Sequence, residues 1–354
     1  MTQYRVTEDS LRVFCQEVFA TLGVGMTDAQ TVADNLVEAE LRGVKSHGVA
    51  KMKEYAHKLE IKEFNARPDI KIVREGISSL AIDGDFGLGA VTGKWAMTRC
   101  LDKAKRTGIA VATVGKGRHF GMAAFYSMLA LKQDMIGIAL CNSGPIMTVY
   151  GGTSRVLGTN PISIAVPANQ EYPLVFDAAT SQAAFNRIIV ANREEREIPS
   201  GWAVDQHGQP TVNAGEALLG AVIPFGGYKG SDLAVMVEVL SGLLSGAFLA
   251  AAGGEQPAAK HNGVGFFFGA VHITDFVDTA LFKQAVDELI ASLKASRREE
   301  NYGEIYMPGE KEYISRANSI KQGVDISGAV LADLQEVQKR YGLKSILEII
   351  TASE

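Results

Sequence analysis

Cysteine is scarce in this chain of 354 residues, which has only Cys15, Cys100 and Cys141. No two of them form a C-x-x-C pair, and this excludes a disulfide scaffold and a zinc site built on thiolates. Such sparse cysteine is typical of a reducing compartment, so we expect a cytoplasmic protein.

Long apolar runs are also lacking, because glycine, serine or charged residues interrupt the longest apolar segments. We therefore expect no membrane span. The first residues, MTQYRVTEDSLRVF, have no basic stretch followed by an apolar one, so we expect no signal peptide.

Several catalytic signatures are missing from the sequence. The six histidines form no H-x-x-x-H or H-E-x-x-H pattern, which predicts that the protein holds no metal. There is no G-x-S-x-G for a serine hydrolase. A G-x-x-x-x-G-K-[ST] loop is absent too, which excludes a P-loop kinase or ATPase.

A surplus of basic charge is also absent, since 40 acidic residues outnumber 35 basic ones and the net charge is −5. The basic residues are scattered among acids, so we expect neither nucleic acid nor an anionic membrane as a partner. The hydrophobic content of 47% and charged content of 21% are ordinary for a globular enzyme. The length suggests two or more lobes.

Apolar periodicity predicts helices at both ends of the chain and mixed structure between them. Helices are expected over 7–22, from Thr27 to Gly43, from Val49 onward, and over 276–293 and 327–341. Another helix follows the glycine-rich turn at 226–230, with an apolar face predicted to point inward and Glu238, Ser241 and Ser245 predicted to face away. That apolar face comprises Leu233, Met236, Val237, Leu240, Leu243 and Leu244. Residues 250–265 are small and polar, which predicts a mobile loop.

A glycine run after a predicted strand, Gly87-x-Gly89-x-x-x-Gly93, imitates the fingerprint of a Rossmann dinucleotide site. A true Rossmann site needs an acidic residue at the end of the next strand, for the ribose hydroxyls. That strand here reads IAVATVGK and has no acid, and the third glycine comes one position late. The pattern therefore argues against a Rossmann fold.

The stretch LRGVKSHGVAKMKEY at 41–55 is the strongest candidate for an active site. His47 and Lys51 lie four residues apart, which is one helical turn, so an imidazole and an ammonium can face one point. A small carboxylate substrate needs both groups, one to move a proton and one to bind the acid. The alternatives are that Ser46 caps a helix, that His47 is a surface residue and that Tyr55 packs in the core.

Four further segments place small, polar or basic residues at turns. His119 follows a buried strand between glycines, where it either acts in catalysis or hydrogen bonds to the turn itself. Asn142-Ser143-Gly144 and Gly158-Thr159-Asn160-Pro161 are turns that let a backbone approach a ligand closely. Tyr228-Lys229-Gly230 begins a helix, where amide donors and an ammonium suit a phosphate.

Eight motifs occur together and in order along the chain. They are SHG (46–48), GRHFG (117–121), CNSGPI (141–146), GTNPIS (158–163), FDAAT (176–180), GWAVDQHGQPT (201–211), PFGGYKG (224–230) and YMPGE (306–310). With these motifs the chain resembles the malate/L-lactate dehydrogenase family, whose members do not use a Rossmann fold. That family also includes ureidoglycolate and sulfolactate dehydrogenases, 2,3-diketo-L-gulonate reductase and piperideine-2-carboxylate reductase.

The resemblance implies a cofactor domain with a largely antiparallel sheet. Because the ends of the chain are helical and the middle is mixed, we expect a mixed α/β protein whose termini pack together as one helical lobe. We expect this lobe over 1–70 and 300–354, a cofactor-binding domain over 71–120 and 220–299, and a third domain over 121–219. The resemblance also implies NAD or NADP as cofactor and a homodimer with the active site near the interface.

Roles for individual residues follow from the same resemblance. His47 and His119 match catalytic positions of the family, and Ser46, Lys51, Tyr55 and Asn160 are expected to bind substrate. The positions expected to bind cofactor are Ser143, Asp177, Ala178, Ala179, Tyr228, Lys229, Gly309, Glu310 and Lys311.

The sequence departs from the family pattern at two places. Lys51 stands where many relatives carry an arginine that binds the substrate carboxylate, and lysine keeps the charge but lacks the bidentate fork. KGSDL at 229–233 replaces the common KGYGL, which puts cofactor contacts there in question.

We predict an NAD(P)-dependent oxidoreductase that interconverts a small 2-hydroxy acid and its 2-oxo acid. Alternatives in the same class are oxidation of ureidoglycolate and reduction of a diketo-sugar acid or a cyclic imino acid. An alternative of another class is a binding protein without catalysis, which would keep the glycine turns but need neither histidine.

Overall fold

The computed structural model describes residues 3–247 and 263–353. The predicted helical lobe from both termini is confirmed, because one hydrophobic core joins residues from the start of the chain with residues from its end. Its helices are α1 (Glu8–Thr21), α2 (Met26–Leu41), α3 (Met52–Glu60), and two helices near the C-terminus at Glu310–Gln322 and Gly328–Tyr341. Thr7 caps α1 by accepting a hydrogen bond from the N–H of Ser10, and Gly23 follows its end with a positive φ of 88°.

The same lobe contains a small antiparallel sheet that periodicity did not predict. Strand β1 (Gln3–Val6) lies between two strands from the C-terminal part of the chain, Val324–Ser327 and Ile349–Ser353. These strands are four or five residues long, too short for an alternating pattern to stand out. The sheet ties the two ends of the chain together.

The central sheet has seven strands, of which five are β2 (Lys71–Glu75), β3 (Ser79–Asp83), β4 (Ile109–Gly117), β5 (Met135–Cys141) and β6 (Ile162–Val166). Strands β7 (Leu174–Ala178) and Val264–His272 complete it, the latter between β4 and β5. Only β3 and β4 pair in parallel, joined by α4 (Gly89–Thr107), and the other neighbouring pairs are antiparallel. The prediction of a mixed α/β fold with a largely antiparallel sheet is confirmed.

The predicted boundary at residue 120 falls inside this sheet, because β5, β6 and β7 come after it. The remaining part of the predicted third domain has its own small core around Met147, Ile188 and Val222. Its elements are α6 (Phe185–Arg193), β8 (Ala203–Val204), β9 (Pro210–Thr211), α7 (Ala214–Leu219) and β10 (Ala221–Val222). The short α5 (Ala124–Ser127) packs on the central sheet instead, with Tyr126 in the core of that sheet. The three-domain division itself stays a prediction.

Helix α8 (Tyr228–Val237), which continues as a π-helical turn over Glu238–Leu243, contradicts the predicted orientation of its faces. Leu233, Met236, Leu243 and Leu244 are 40%, 53%, 53% and 60% exposed, whereas Glu238 and Ser241 are buried. Val237 is buried as predicted, and Ser245 is half-buried rather than turned away.

The reason is close packing on the sheet. A Cβ at Gly265 would lie 2.0 Å from the carbonyl oxygen of Ser241, and one at Gly115 would lie 2.5 Å from that of Ser245. The sheet therefore has no room for leucines beneath this helix.

The last helix of the central region is α9 (Thr279–Lys294), so the two C-terminal helices of the terminal lobe are α10 and α11. Most of the predicted loop at 250–265 lies outside the described residues, and Val264–Gly265 already belong to a strand. Among the helices that the structure describes, none is long and apolar enough to cross a membrane.

Candidate active site

The structure brings His47 and His119 together. Their rings are stacked, with centroids 5.7 Å apart and planes 9° from parallel. His47 ends a short 3-10 helix, Lys45–His47, between α2 and α3, and His119 follows β4. The terminal lobe and the central sheet therefore each supply one histidine.

Hydroxyl groups contact both imidazoles at Nδ1. The Oγ atom of Ser46 lies 2.9 Å from Nδ1 of His47. The hydroxyl of Tyr55 is hydrogen bonded with Nδ1 of His119. In the part of the chain that the structure describes, no group is hydrogen bonded with Nε2 of either ring, so this nitrogen is the one left for a ligand.

Tyr55 packs in the core and also contacts His119, while its predicted contact with substrate stays a prediction. Its ring is buried and packs beside Phe19 and Phe64, with centroids 6.5 and 5.7 Å away. Burial raises the pKa of Tyr55, so its phenol stays protonated. The residue belongs to the core, and its hydroxyl reaches the histidine pair.

The glycine run that imitates a Rossmann fingerprint has a different use here. A Cβ at Gly89 would lie 2.1 Å from the carbonyl oxygen of His119. Glycine at this position lets the first turn of α4 pack directly against the backbone that carries His119.

Lys51 is close to the pair but is not a free cation. Its Nζ atom lies 3.0 Å from one carboxylate oxygen of Glu54, while Nζ of Lys58 lies 2.9 Å from the other. Burial opposes ionisation of Glu54, but the two lysines outweigh it and lower its pKa to about 2. Any anion that binds Lys51 must compete with Glu54.

Both histidines are poor bases in this setting. Burial, together with the charge of Lys51, lowers the pKa of His47 to about 4. Burial, followed by the influence of His47 and Lys51, lowers the pKa of His119 to about 3. The two rings are therefore neutral near pH 7.

Asn160 lies in a buried hydrogen-bond network. Its Nδ2 donates to the carbonyl of Ala234 and to Glu238, at 2.9 and 3.1 Å, and its Oδ1 accepts from the N–H of Ser143 at 3.0 Å. Both amide hydrogens are thus used within the protein. The predicted contact of Asn160 with substrate stays a prediction.

The segments predicted to bind cofactor are linked to one another through the backbone. Thr180, next to Ala178 and Ala179, donates to the carbonyl of Thr159, and its own carbonyl accepts from Phe225, just before the Tyr228-Lys229 turn. The N–H of Thr159 donates to the Oγ of Ser143 at 3.1 Å. Three of the four predicted segments are therefore neighbours.

The fourth segment, Gly309-Glu310-Lys311, lies beside β7, the strand that carries Asp177 and Ala178. The N–H of Val175 in β7 donates to the carbonyl of Pro308, and a Cβ at Gly309 would lie 2.8 Å from Cβ of Val175. Glu310 is buried and accepts a hydrogen bond from Lys294, while Lys311 lies over the ring of Tyr306.

Asp177 connects this region with the segment that carries His119. Its Oδ2 accepts a hydrogen bond of 2.7 Å from the N–H of Ala124.

Tyr228 and Lys229 are exposed at the start of α8. Gly226 and Gly227 precede them with φ values of 56° and 65°, which glycine adopts most easily. Among the described residues, no side chain caps this ten-residue helix, and the N–H of Gly230 already donates to the carbonyl of Phe225 at 3.0 Å. The N–H groups of Tyr228 and Lys229 are therefore the ones left for a ligand. That arrangement fits an anionic group such as a cofactor phosphate.

Three contributors to the site were not predicted. Glu54 and Lys58 follow Lys51 at helical spacing, so the pattern Lys51-Glu54-Tyr55-Lys58 could have identified both. Asn186, whose Nδ2 donates to the carbonyl of Ser46 at 3.3 Å, comes from a distant part of the chain and left no local signal.

Comparison with known proteins identifies the family. The family model for malate/L-lactate dehydrogenase matches residues 6–335. The chain belongs to the malate/L-lactate dehydrogenase family. It is therefore an oxidoreductase, and the family implies a nicotinamide cofactor.

Individual relatives agree over nearly the whole chain. A malate dehydrogenase of Pyrococcus horikoshii is 37% identical over 350 residues, which cover 97% of each chain. An L-sulfolactate dehydrogenase of Methanocaldococcus jannaschii is 39% identical over 336 residues, which cover 92% of this chain and 94% of the relative. The solved structure of malate dehydrogenase from Entamoeba histolytica has a TM-score of 0.91 at 29% identity and covers 96% of this chain and 99% of that chain.

Proposed function

We propose that this member of the family interconverts a small 2-hydroxy acid and its 2-oxo acid with NAD or NADP. The observation that carries the proposal is the stacked pair of His47 and His119 beside Lys51. The pair offers two ring nitrogens for one substrate oxygen, and the lysine offers a cation for the neighbouring acid group.

Each imidazole has a defined task in this proposal. Because Nδ1 of His47 and Nδ1 of His119 face hydroxyl groups, both rings meet the C2 oxygen of the substrate through Nε2. A neutral imidazole accepts the hydroxyl proton as the 2-hydroxy acid is oxidised. In this proposal His47 accepts the proton, and His119 makes a supporting hydrogen bond with the same oxygen.

Substrate binding rests on Lys51, with Ser46 and Tyr55 holding the imidazoles. The substrate carboxylate takes the place of Glu54 as the partner of Lys51. Its negative charge also favours a protonated histidine nearby, as the reverse reaction requires.

The cofactor is proposed to lie along Ser143, Asp177-Ala178-Ala179, Tyr228-Lys229 and Gly309-Glu310-Lys311, whose segments are neighbours in the structure. The ammonium of Lys229 and the N–H groups of Tyr228 and Lys229 would bind its phosphate. When bound, the nicotinamide ring supplies or accepts the hydride at C2 of the substrate. The same donors fit NAD and NADP.

The test is the change in nicotinamide absorbance with purified protein, a loss for the reductions and a gain for the oxidation of ureidoglycolate. NADH and NADPH are each combined with oxaloacetate, sulfopyruvate, pyruvate, a diketo-sugar acid and a cyclic imine, and ureidoglycolate is tested with the oxidised cofactors. Turnover of one 2-oxo acid supports the proposal. Turnover of the imine, the diketo-sugar acid or ureidoglycolate alone replaces the substrate class, and cofactor binding without any turnover contradicts it.

We further propose a homodimer and a cytoplasmic location. An apolar surface on α8 and the π-helical turn after it suits a second copy of the chain. It is formed by the exposed residues Leu233, Met236, Leu243 and Leu244. Cys15, Cys100 and Cys141 are free and buried, which fits a reducing compartment.

A further inference from the structure

A buried carboxylate lies against the turn that carries His47. Glu40, near the end of α2, is only 3% exposed. Burying a carboxylate is unfavourable unless hydrogen bonds or opposite charges compensate for the lost water. The partners of Glu40 therefore indicate what this charge does in the protein.

Those partners lie on both sides of the Ser46-His47 pair. The Oε1 atom of Glu40 accepts a hydrogen bond of 2.8 Å from the N–H of Val49. Its Oε2 atom lies 3.0 Å from Nζ of Lys45. One carboxylate thus holds the residue before Ser46 and the second residue after His47.

Gly48 shows how closely the carboxylate fits the turn. The backbone of Gly48 has φ −90° and ψ −151°, which other residues also adopt. A Cβ there would nevertheless lie 2.1 Å from Oε1 of Glu40 and 2.5 Å from its Cδ. A side chain at position 48 would therefore require the Glu40 side chain to move, whereas the backbone angles themselves do not demand glycine.

An ion pair with Lys45 does not account for this arrangement. The Lys45 side chain is 48% exposed, and an ion pair to such a group contributes little in water. The hydrogen bond to Val49 and the close contact with Gly48 involve no lysine.

We propose that Glu40 is a positioning residue that fixes the Ser46-His47-Gly48 turn so that the His47 ring stacks on His119. Glu40 acts through the backbone of Gly48 and Val49. This inference rests on the proposed function of His47, since it concerns the orientation of that imidazole.

The first test compares Glu40→Ala with Glu40→Gln, using Lys45→Met as the matched control. Glu40→Ala is expected to lower kcat by about tenfold or more, because small displacements of a catalytic group have effects of this size. KM for the cofactor is expected to stay unchanged. Glu40→Gln keeps an oxygen for the N–H of Val49 and is expected to remain within about fivefold of the wild type.

Lys45→Met removes the ion pair and the hydrogen bond that Lys45 donates to the carbonyl of Asp325, but it leaves the hydrogen bond to Val49, so its kcat is expected to match the wild type. Equal losses in Glu40→Ala and Glu40→Gln would contradict the role of the hydrogen bond. A loss in Lys45→Met as large as that in Glu40→Ala would overturn the proposal in favour of the ion pair.

A second test uses Gly48→Ala. This change alone is expected to lower kcat by about tenfold or more, because the new Cβ displaces the carboxylate and the turn. Combined with Glu40→Ala, the clash is gone, so the double variant should be no slower than Glu40→Ala. If the fold-loss of kcat in the double variant equals the product of the two single losses, the two residues act independently, which contradicts the proposed contact between them.

Hydrogen exchange provides a measurement that does not depend on activity. The amide of Val49 should be protected in the wild type and in Glu40→Gln but exchange faster in Glu40→Ala. A wild type without dehydrogenase activity but with this exchange pattern would refute the proposed function alone. Exchange and kcat that are both unchanged in Glu40→Ala would refute the positioning role. If Glu40→Ala does not fold, Gly48→Ala and Glu40→Gln decide the question by the same two measurements.

Discussion

At the scale of single residues, the site is defined by what each histidine contacts. Both rings are neutral near pH 7, and each has a hydroxyl at Nδ1, Ser46 for His47 and Tyr55 for His119. The sequence alone predicts His47, Lys51 and His119 as candidates. His47 and Lys51 are one helical turn apart, and His119 lies in a turn after a buried strand. The sequence could not show that the two rings stack, because this depends on packing between the terminal lobe and the central sheet.

The first prediction concerns the two histidines. His47→Gln should lower kcat by about 10²-fold or more, the usual effect of removing a general acid–base group. His119→Gln should cause a smaller loss if it supplies only a hydrogen bond. Steady-state kinetics, with cofactor binding measured by fluorescence, checks both.

The matched control is His57→Gln, since His57 is an exposed histidine on α3 in the same lobe. It should leave kcat unchanged. Wild-type turnover in His47→Gln would remove His47 from the mechanism, and a larger loss in His119→Gln would exchange the two assignments.

A second prediction follows from the pairing of Lys51 with Glu54. Glu54→Gln removes the carboxylate that competes with the substrate for Lys51, so KM for the 2-oxo acid should fall. The Glu54 side chain is 40% exposed, and exposed ion pairs are weak, so we expect a decrease of about threefold. kcat should change less than KM.

Glu60→Gln, which removes the partner of Arg340 at the other end of α3, serves as the control and should leave KM unchanged. A higher KM in Glu54→Gln would mean that the carboxylate helps to orient Lys51 instead of competing for it.

At the scale of elements, α8 shows where pattern reading succeeds and where it fails. Periodicity correctly predicted a helix after the Gly226-Gly227 turn, because one stripe of apolar residues recurs at helical spacing. The same rule assigned the stripe to the core, and that was wrong. The inner face carries Ala234, Glu238 and Ser241, since the sheet approaches the helix too closely for larger side chains.

The short strands at the chain ends were missed for a related reason, because strands of four or five residues carry too few positions for a periodic signal. The helical periodicity at both ends of the chain indicates the terminal lobe. The largely antiparallel sheet is implied only by the resemblance that the eight motifs carry, because composition and periodicity leave the strand order open.

The third prediction tests the inverted helix. Ser241→Leu should lower the free energy of unfolding by about 1–3 kcal/mol, because Ser241 is fully buried and a larger side chain overpacks the interface with the sheet. Leu244→Ser, on the outer face, should change the unfolding of the separated subunit much less. Urea unfolding at low protein concentration measures both. Similar losses in the two variants would mean that the outer face is also part of the subunit core.

At the scale of the whole molecule, the outer face of α8 needs an explanation beyond the single chain. A row of exposed leucine and methionine side chains on one helix is unusual for a protein that remains a monomer. The same helix begins at Tyr228-Lys229, the proposed phosphate site, so a partner on this face would lie next to the cofactor.

The last prediction is that the chain forms a homodimer through this face. Leu243→Asp together with Leu244→Asp places two charges on it and should convert the dimer to monomers in analytical ultracentrifugation. Ile77→Asp is the control, because Ile77 is 88% exposed in the turn between β2 and β3, away from this face, and should leave the dimer intact. A wild type that sediments as a monomer would contradict the dimer. A dimer that survives the double change would require a different interface. If the monomeric variant also loses cofactor affinity while its unfolding is unchanged, the partner surface supports the cofactor site at the start of α8.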